Sequence, residues 1–216
     1  MAAADRISAA QLVELLTEPQ QQRRYIMLVG TQGAGKSTIA KAIRDRGFQR
    51  LSYDRLVKRN PWLALSDGKL EETYSQWRDK HLAKGSNIVD DNPNTLPSVR
   101  RQTLNKVRES GYSDIVLIHL DMPLALCLQQ NRRRPRQSPD WLIERVWRQF
   151  NENGLPTAQE GEIFRISPTE IDGIYFFQRF AYAPLGEEPG PQASAQTSLW
   201  KKLKTSLQKW RRIFAG

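Results

Sequence analysis

The chain of 216 residues is poor in cysteine and histidine, and it has no long apolar run. Its only cysteine, Cys127, excludes a disulfide within the chain, and its two histidines have no cysteine or histidine companions at zinc-ligand spacing. No stretch approaches the roughly 20 apolar residues of a membrane-spanning helix. The alanine-rich start carries Asp5 and Arg6 and does not have the form of a signal peptide. We therefore expect a cytoplasmic protein whose core folds without disulfides.

Positive charge is the property in excess, with a formal net charge of +10. It is concentrated in two places: segment 199–216 contributes +6 and the run 132–136 contributes +4, so the rest of the chain is about neutral. A basic face spread over a domain would indicate nucleic-acid binding. Two local clusters instead require two separate explanations.

The stretch 25–38 holds the most specific motif. Gly30, Gly35, Lys36 and Ser37 stand at the spacing of the Walker A, or P-loop, pattern, between an apolar run and an amphipathic segment. Such a loop presents its amides and lysine to the phosphates of ATP at a helix N-terminus, and its serine hydroxyl binds Mg²⁺. The expected nucleotide-binding residues are Gly30, Thr31, Gln32, Gly33, Ala34, Gly35, Lys36, Ser37 and Thr38.

Strand-like runs alternate with helical segments along the chain, which predicts a mostly parallel sheet covered by helices on both faces. We therefore predict an α/β fold of the three-layer P-loop NTPase type. The predicted strands are 25–29, 48–53, 87–89, 114–120 and 162–166. The predicted helices are 7–17, 37–46, 69–84, 96–110, 123–134 and 140–151. We expect Trp62, Trp77, Trp141 and Trp147 in the core.

The composition divides the chain into four parts. An N-terminal helical extension, 1–22, precedes the P-loop domain, 23–185. Segment 186–198 is rich in Gly, Pro, Glu, Ser and Gln and is typical of a flexible linker. In segment 199–216 the apolar residues occupy one side of a predicted helix and all six cations the other. This pattern is typical of a helix that binds a membrane surface or a partner protein, and the alternative is a helix that folds back on its own domain.

Two acidic residues follow predicted strands at the carboxyl edge of the sheet, where ligands bind in such folds. Asp54 follows the second strand and Asp91 the third. Phosphoryl transfer requires a group that orients or deprotonates the acceptor, together with cations around the phosphoryl group, and either acid suits the first role or holds Mg²⁺ through water. The alternatives are a helix cap for Asp54, turn formation for Asp90 and Asp91, and a solvated helix end for the arginine run 132–136.

Four segments together resemble the P-loop kinases typified by the 5′-kinase domain of polynucleotide kinases. They are 30–37, 51–54, 91–94 with Arg100 and Arg101, and 127–134, and the resemblance runs from about residue 25 to 166. It implies that Asp54 is the general base towards the acceptor hydroxyl and that Asp91 assists at the acceptor or the metal. It also implies an arginine-rich lid, 131–136, whose residues Arg132, Arg134 and Arg136 contact the phosphates of ATP.

Two positions depart from that family's pattern. Pro93 stands where the family has a threonine, and Val57 stands where the phage-type enzymes have an arginine that holds a nucleic-acid phosphate. Lys58 and Arg55 are the candidates to replace that arginine. The expected activity is therefore an ATP- and Mg²⁺-dependent kinase acting on a hydroxyl. The acceptor stays open between the 5′-OH of a nucleic acid and a small molecule or sugar nucleotide, and the remaining alternative is a nucleotide-dependent switch or adaptor.

Overall fold

The computed structural model of the protein describes residues 7–135, 137–171 and 174–179. Arg136, the predicted linker 186–198 and the predicted amphipathic helix 199–216 lie outside these residues. None of the helices in the described ranges is long and apolar enough to cross a bilayer.

Strands and helices alternate along the described chain. The strands are β1 Ile7–Ser8, β2 Arg24–Val29, β3 Gln49–Leu51, β4 Ile88–Asp90, β5 Asp114–Leu120, β6 Glu162–Ile171 and β7 Ile174–Arg179. The α-helices are α1 Ala9–Thr17, α2 Lys36–Arg44, α3 Tyr53–Arg59, α4 Asp67–Ala83, α5 Pro97–Glu109, α6 Leu124–Arg132 and α7 Asp140–Asn153. A 3₁₀ helix, Pro61–Leu65, connects α3 to α4.

The strands form one sheet in the order β1-β7-β6-β5-β2-β4-β3. The five strands from β6 to β3 are parallel, whereas β7 runs antiparallel to β6 and β1 antiparallel to β7. The predicted three-layer α/β fold with a mostly parallel sheet is confirmed. The structure adds β1 and β7, which the sequence pattern did not predict, and it extends β6 to Ile171. The predicted first helix is correspondingly shorter, because Ile7 and Ser8 pair with β7.

The core lies around β2 and β5, which pair along the whole length of β2. Every residue of β2 is buried, as are the last six residues of β5, because helices cover both faces of the parallel strands. At the amino ends of these strands Arg24 Nε donates to Asp114 Oδ2 at 2.9 Å. This partly buried pair favours the register of the two strands, since a slip of one residue would part the two charges.

The four tryptophans within the described residues divide between core and surface. Trp77 packs against the core, edge-on to Tyr74, and the Trp147 indole donates to the carbonyl of Met122 at 2.9 Å. Trp62 and Trp141 are 55% and 62% exposed, so the prediction of a core position was wrong for these two. Trp62 lies in the short 3₁₀ helix and Trp141 in the first turn of α7, where the chain does not run under other elements.

The strand register brings the carboxyl ends of four strands to one edge. Met27 of β2 and Leu51 of β3 both stand opposite Asp90 of β4, and Val29 stands opposite His119 of β5. The residues that follow these strands therefore meet in space although they are far apart in the sequence.

The core position of Leu117 in β5 gives a stability prediction. Leu117 is fully buried, so Leu117→Ala should lower the free energy of unfolding by about 2–5 kcal/mol through lost burial and a residual cavity. The matched control is Leu65→Ala, at a leucine 88% exposed, which should change it by less than about 0.5 kcal/mol. Denaturant titration of both variants measures the difference, and similar losses in the two would contradict the assignment of the core.

Candidate functional site

The P-loop curls between β2 and α2 and packs against α6. Gly33 has φ of 82°, and a Cβ placed there would lie 2.1 Å from the carbonyl oxygen of Cys127. Only glycine fits this approach, since both the backbone conformation and the space exclude a side chain. Gly35, with φ of 93°, is the N-cap of α2, so the loop ends on a helix N-terminus as predicted, one residue earlier than expected.

Lys36 occupies the interior of the loop. Its Nζ donates to the carbonyl of Gly30 at 2.7 Å and to that of Thr31 at 2.6 Å. Burial lowers the pKa of Lys36 to about 8, and the Asp91 carboxylate opposes this shift. The ammonium group is therefore a desolvated cation held at the turn of the loop, where it interacts with anions more strongly than an exposed lysine does.

Asp91 lies beside the loop and is bonded on both of its oxygens. Ser37 Oγ donates to Asp91 Oδ1 at 3.3 Å, and Arg50 Nε donates to Asp91 Oδ2 at 2.9 Å. Burial raises the pKa of Asp91, while Arg50 favours its ionised form. A serine hydroxyl beside a carboxylate is a set of hard oxygen donors, so Ser37 and Asp91 fit a magnesium ion that also binds nucleotide phosphates.

Asp90, the preceding residue, has a different environment. Tyr25 Oη donates to its Oδ2 at 2.8 Å and Asn92 Nδ2 to its Oδ1 at 2.6 Å, and burial raises its pKa. Asn92 Oδ1 in turn accepts from the backbone amide of Tyr53, the first residue of α3, at 2.9 Å. Asp90 therefore organises the segment after β4 from within the core and is more than the turn former considered above.

Asp54 lies in the first turn of α3 and does not cap this helix, because the N-cap position belongs to Ser52. Its side chain is 72% exposed, and Asp54 Oδ2 lies 3.8 Å from Nη2 of Arg134, which follows α6. The acid after β3 and an arginine of the predicted lid thus face each other across the mouth of the site.

The other lid arginines are placed differently. Arg132 is mostly exposed and donates to Asp140 Oδ2 at 2.9 Å, at the start of α7, and Arg136 lies outside the described residues. Of the three arginines predicted for the lid, the structure therefore brings Arg134 to Asp54 and pairs Arg132 with α7.

Arg100 is hydrogen-bonded to the segment that follows β4. It is fully buried, and its guanidinium donates to Glu160 Oε1 at 2.8 Å and to the carbonyl of Asn94 at 3.0 Å. These contacts leave Arg100 as an anchor of the loop that carries Asp91. The sequence indicated neither this pairing nor that of Arg50, since both partners come from distant parts of the chain.

The tight approach at Gly33 yields a binding prediction. Gly33→Ala should weaken ATP binding by roughly tenfold or more, because the left-handed backbone and the contact with Cys127 must both change. Gly68→Ala is the matched control, since nothing lies within 4 Å of a Cβ at Gly68. Titration with a fluorescent ATP analogue compares the two, and unchanged affinity in Gly33→Ala would contradict the described loop geometry.

Known proteins match this chain both in sequence and in structure. A family model described as an AAA domain matches residues 26–154. The L-seryl-tRNA(Sec) kinase of Methanococcus maripaludis is 26% identical over 153 residues, which cover 67% of this chain and 59% of that kinase. The chain thus spans about three fifths of the length of this relative.

Two solved structures show the same fold at low sequence identity. One belongs to the PezAT chromosomal toxin–antitoxin system of Streptococcus pneumoniae, with a TM-score of 0.51 and 18% identity over 73% of this chain and 74% of that one. The other is the AvrRxo1-ORF1:AvrRxo1-ORF2 complex, with a TM-score of 0.52 and 17% identity over 73% of this chain and 58% of that one.

Proposed function

This chain belongs to the AAA domain family, which is matched over residues 26–154, and we propose that it is an ATP-dependent kinase acting on a hydroxyl group. The observation that carries the proposal is the 3.8 Å approach of Arg134 Nη2 to Asp54 Oδ2. An exposed carboxylate that faces a lid arginine at the same edge is what transfer to an acceptor requires.

Each residue has a role that follows from its position. The loop amides and Lys36 bind the phosphates of ATP, and Ser37 with Asp91 hold Mg²⁺, which neutralises charge on the phosphates when bound. Asp54 accepts the proton of the acceptor hydroxyl, since its carboxylate is exposed on the open side of the site. Arg134 offsets negative charge on the transferring phosphoryl group. Arg132 and Arg136 are further candidates for phosphate contacts on the basis of the sequence, and Arg132 would have to leave Asp140 to make one.

For the acceptor we propose a hydroxyl carried by a nucleic acid. Two arguments support this choice: the resemblance to polynucleotide 5′-kinases, and the relative whose name specifies an aminoacylated tRNA. Arg55 and exposed Lys58 follow Asp54 on α3, so cations stand beside the candidate base although Val57 lacks one. Phosphates near the acceptor hydroxyl would bind such cations.

The carboxylate of Asp54 is the first test of the mechanism. Asp54→Asn should lower kcat by roughly 100- to 10,000-fold, because the amide cannot accept the proton, while ATP affinity stays unchanged. Asp45→Asn, at an exposed acid at the end of α2, is the matched control and should keep full activity. Assays with γ-labelled ATP measure the effect, and turnover that survives in Asp54→Asn would remove Asp54 from the role of base.

The lid arginine gives a second test. Arg134→Ala should lower kcat by roughly 100- to 1,000-fold through lost stabilisation of charge on the phosphoryl group. Arg133→Ala, at the exposed neighbour, carries the same change of charge and should have a much smaller effect. Steady-state kinetics of both variants distinguish a specific role from the general effect of a basic run, which equal losses would favour.

The acceptor is tested by transfer of labelled γ-phosphate to a panel of compounds. The panel contains 5′-OH oligonucleotides, seryl-tRNA, nucleosides and sugars. We expect label on one of the nucleic-acid acceptors. Label on a nucleoside or sugar alone would replace our proposal with a small-molecule kinase, and release of label to water alone would favour a nucleotide-dependent switch.

A further inference from the structure

We propose that Arg50 is a positioning residue that holds the Asp91 carboxylate in the orientation needed for the Mg²⁺ of the bound nucleotide. The inference rests on the proposed function only in taking ATP and Mg²⁺ as ligands of this edge, and it does not require that phosphate is transferred. Arg50 belongs to neither the P-loop nor the lid.

The strand register explains why Arg50 and Asp91 meet. Arg50 of β3 stands opposite Val89 of β4, and Asp91 is two residues beyond Val89. Side chains two residues apart in a strand lie on the same face of the sheet, so Arg50 and Asp91 are diagonal neighbours on one face. The backbone amide of Asp91 also donates to the carbonyl of Leu51 at 2.8 Å, which continues the β3–β4 pairing by one residue beyond β4.

The two oxygens of the Asp91 carboxylate have different hydrogen-bond partners. Arg50 donates from both Nε and Nη2 to Asp91 Oδ2, with the Nε bond at 2.9 Å. This leaves Oδ1 directed towards the P-loop, where it accepts from Ser37 Oγ at 3.3 Å. Two donors on one oxygen restrict rotation of the carboxylate about its χ2 bond, which a single long bond to Ser37 would not do.

Burial of the pair and a contact to the Arg50 backbone hold the Asp91 carboxylate in this orientation. The Arg50 and Asp91 side chains are only 9% and 2% exposed, so water does not compete for the contact. The Arg50 backbone is tied to the helix that carries Asp54, because Arg55 Nη1 of α3 donates to the carbonyl of Arg50 at 2.9 Å. Residues that orient a metal-binding carboxylate in this way affect metal affinity even though they do not touch the ion.

A purely structural role is the competing explanation, and the chain offers a matched control for it. Arg24 and Asp114 form a second arginine–aspartate pair, with Nε 2.9 Å from Oδ2 and the Arg24 side chain 1% exposed. This pair lies at the amino ends of β2 and β5, on the sheet edge opposite to the P-loop. Loss of either arginine removes the hydrogen-bonded cation of an aspartate, but of the two aspartates only Asp91 contacts the P-loop.

The experiment measures ATP binding by calorimetry in the 216-residue chain, with Mg²⁺ and with EDTA, for the wild type, Arg50→Gln, Arg50→Lys and Arg24→Gln. The quantity compared is the factor by which Mg²⁺ strengthens ATP binding. We expect Arg50→Gln to reduce this factor by roughly 10- to 100-fold and to leave metal-free ATP binding unchanged. Arg50→Lys should recover part of the loss, since lysine keeps the charge but not the paired donors. Arg24→Gln should leave the factor unchanged while lowering the melting temperature.

The double variant Arg50→Gln/Asp91→Asn shows whether Arg50 acts through Asp91. If it does, adding Arg50→Gln to Asp91→Asn should change the factor by less than about twofold. A wild-type factor in Arg50→Gln, an equal loss in Arg24→Gln, or full additivity in the double variant would overturn the inference. If Arg50→Gln does not fold, Arg50→Lys replaces it, and a wild-type factor in Arg50→Lys would then overturn the inference. Failure of the proposed kinase activity is seen separately, as absence of label on any acceptor while the Mg²⁺ effect persists.

Discussion

Two consecutive acids at the end of β4, Asp90 and Asp91, hold the site together. A strand turns successive side chains to opposite faces, so one carboxylate faces the tyrosines of the core and the other faces the P-loop. Asp90 accepts from Tyr25 of the central strand, and Asp91 bonds Ser37 and Arg50. The same dipeptide therefore fixes the loop after β4 to the core and presents an oxygen to the P-loop.

The segment after β4 connects the P-loop to α3, the helix that carries Asp54. The backbone amide of Gly30, at the start of the P-loop, donates to the carbonyl of Pro93 at 2.9 Å, and Asn92 accepts from the first amide of α3. Arg100 and Glu160 support this segment through a buried ion pair. Removing one member of such a pair typically costs about 3–5 kcal/mol. Because Arg100 holds the segment after β4 and Asn92 of that segment holds the first amide of α3, the position of Asp54 depends on residues far from it.

Local patterns predicted much of this molecule. The P-loop, the buried strand β5 and most helices were visible because glycine spacing, apolar runs and helical periodicity are properties of neighbouring residues. Strands β1 and β7 were missed because they exist through pairing with distant strands. Asp172-Gly173, a dipeptide common in tight hairpins, was the available sequence signal for β7.

For the same reason, the sequence predicted some residues of the candidate site and missed others. The carboxyl-edge rule placed Gly30, Asp54 and Asp91 together, because parallel strands end at one edge whatever their order. The partners of the acids were not predictable: Arg50 is a single arginine in a three-residue strand, and only the register of β3 against β4 shows that it meets Asp91. The separation of Asp90 from Asp91 likewise required knowledge of which face each residue occupies.

The proposed phosphoryl transfer requires that the bound nucleotide and Asp54 share one edge of the sheet. A crystal structure with Mg²⁺ and a non-hydrolysable ATP analogue measures this directly. We expect Lys36 Nζ to contact phosphate oxygens and the γ-phosphorus to lie roughly 6 Å from the Asp54 carboxylate, the space for one acceptor oxygen between them. A γ-phosphate directed away from Asp54, with no room for an acceptor beside that carboxylate, would contradict the account.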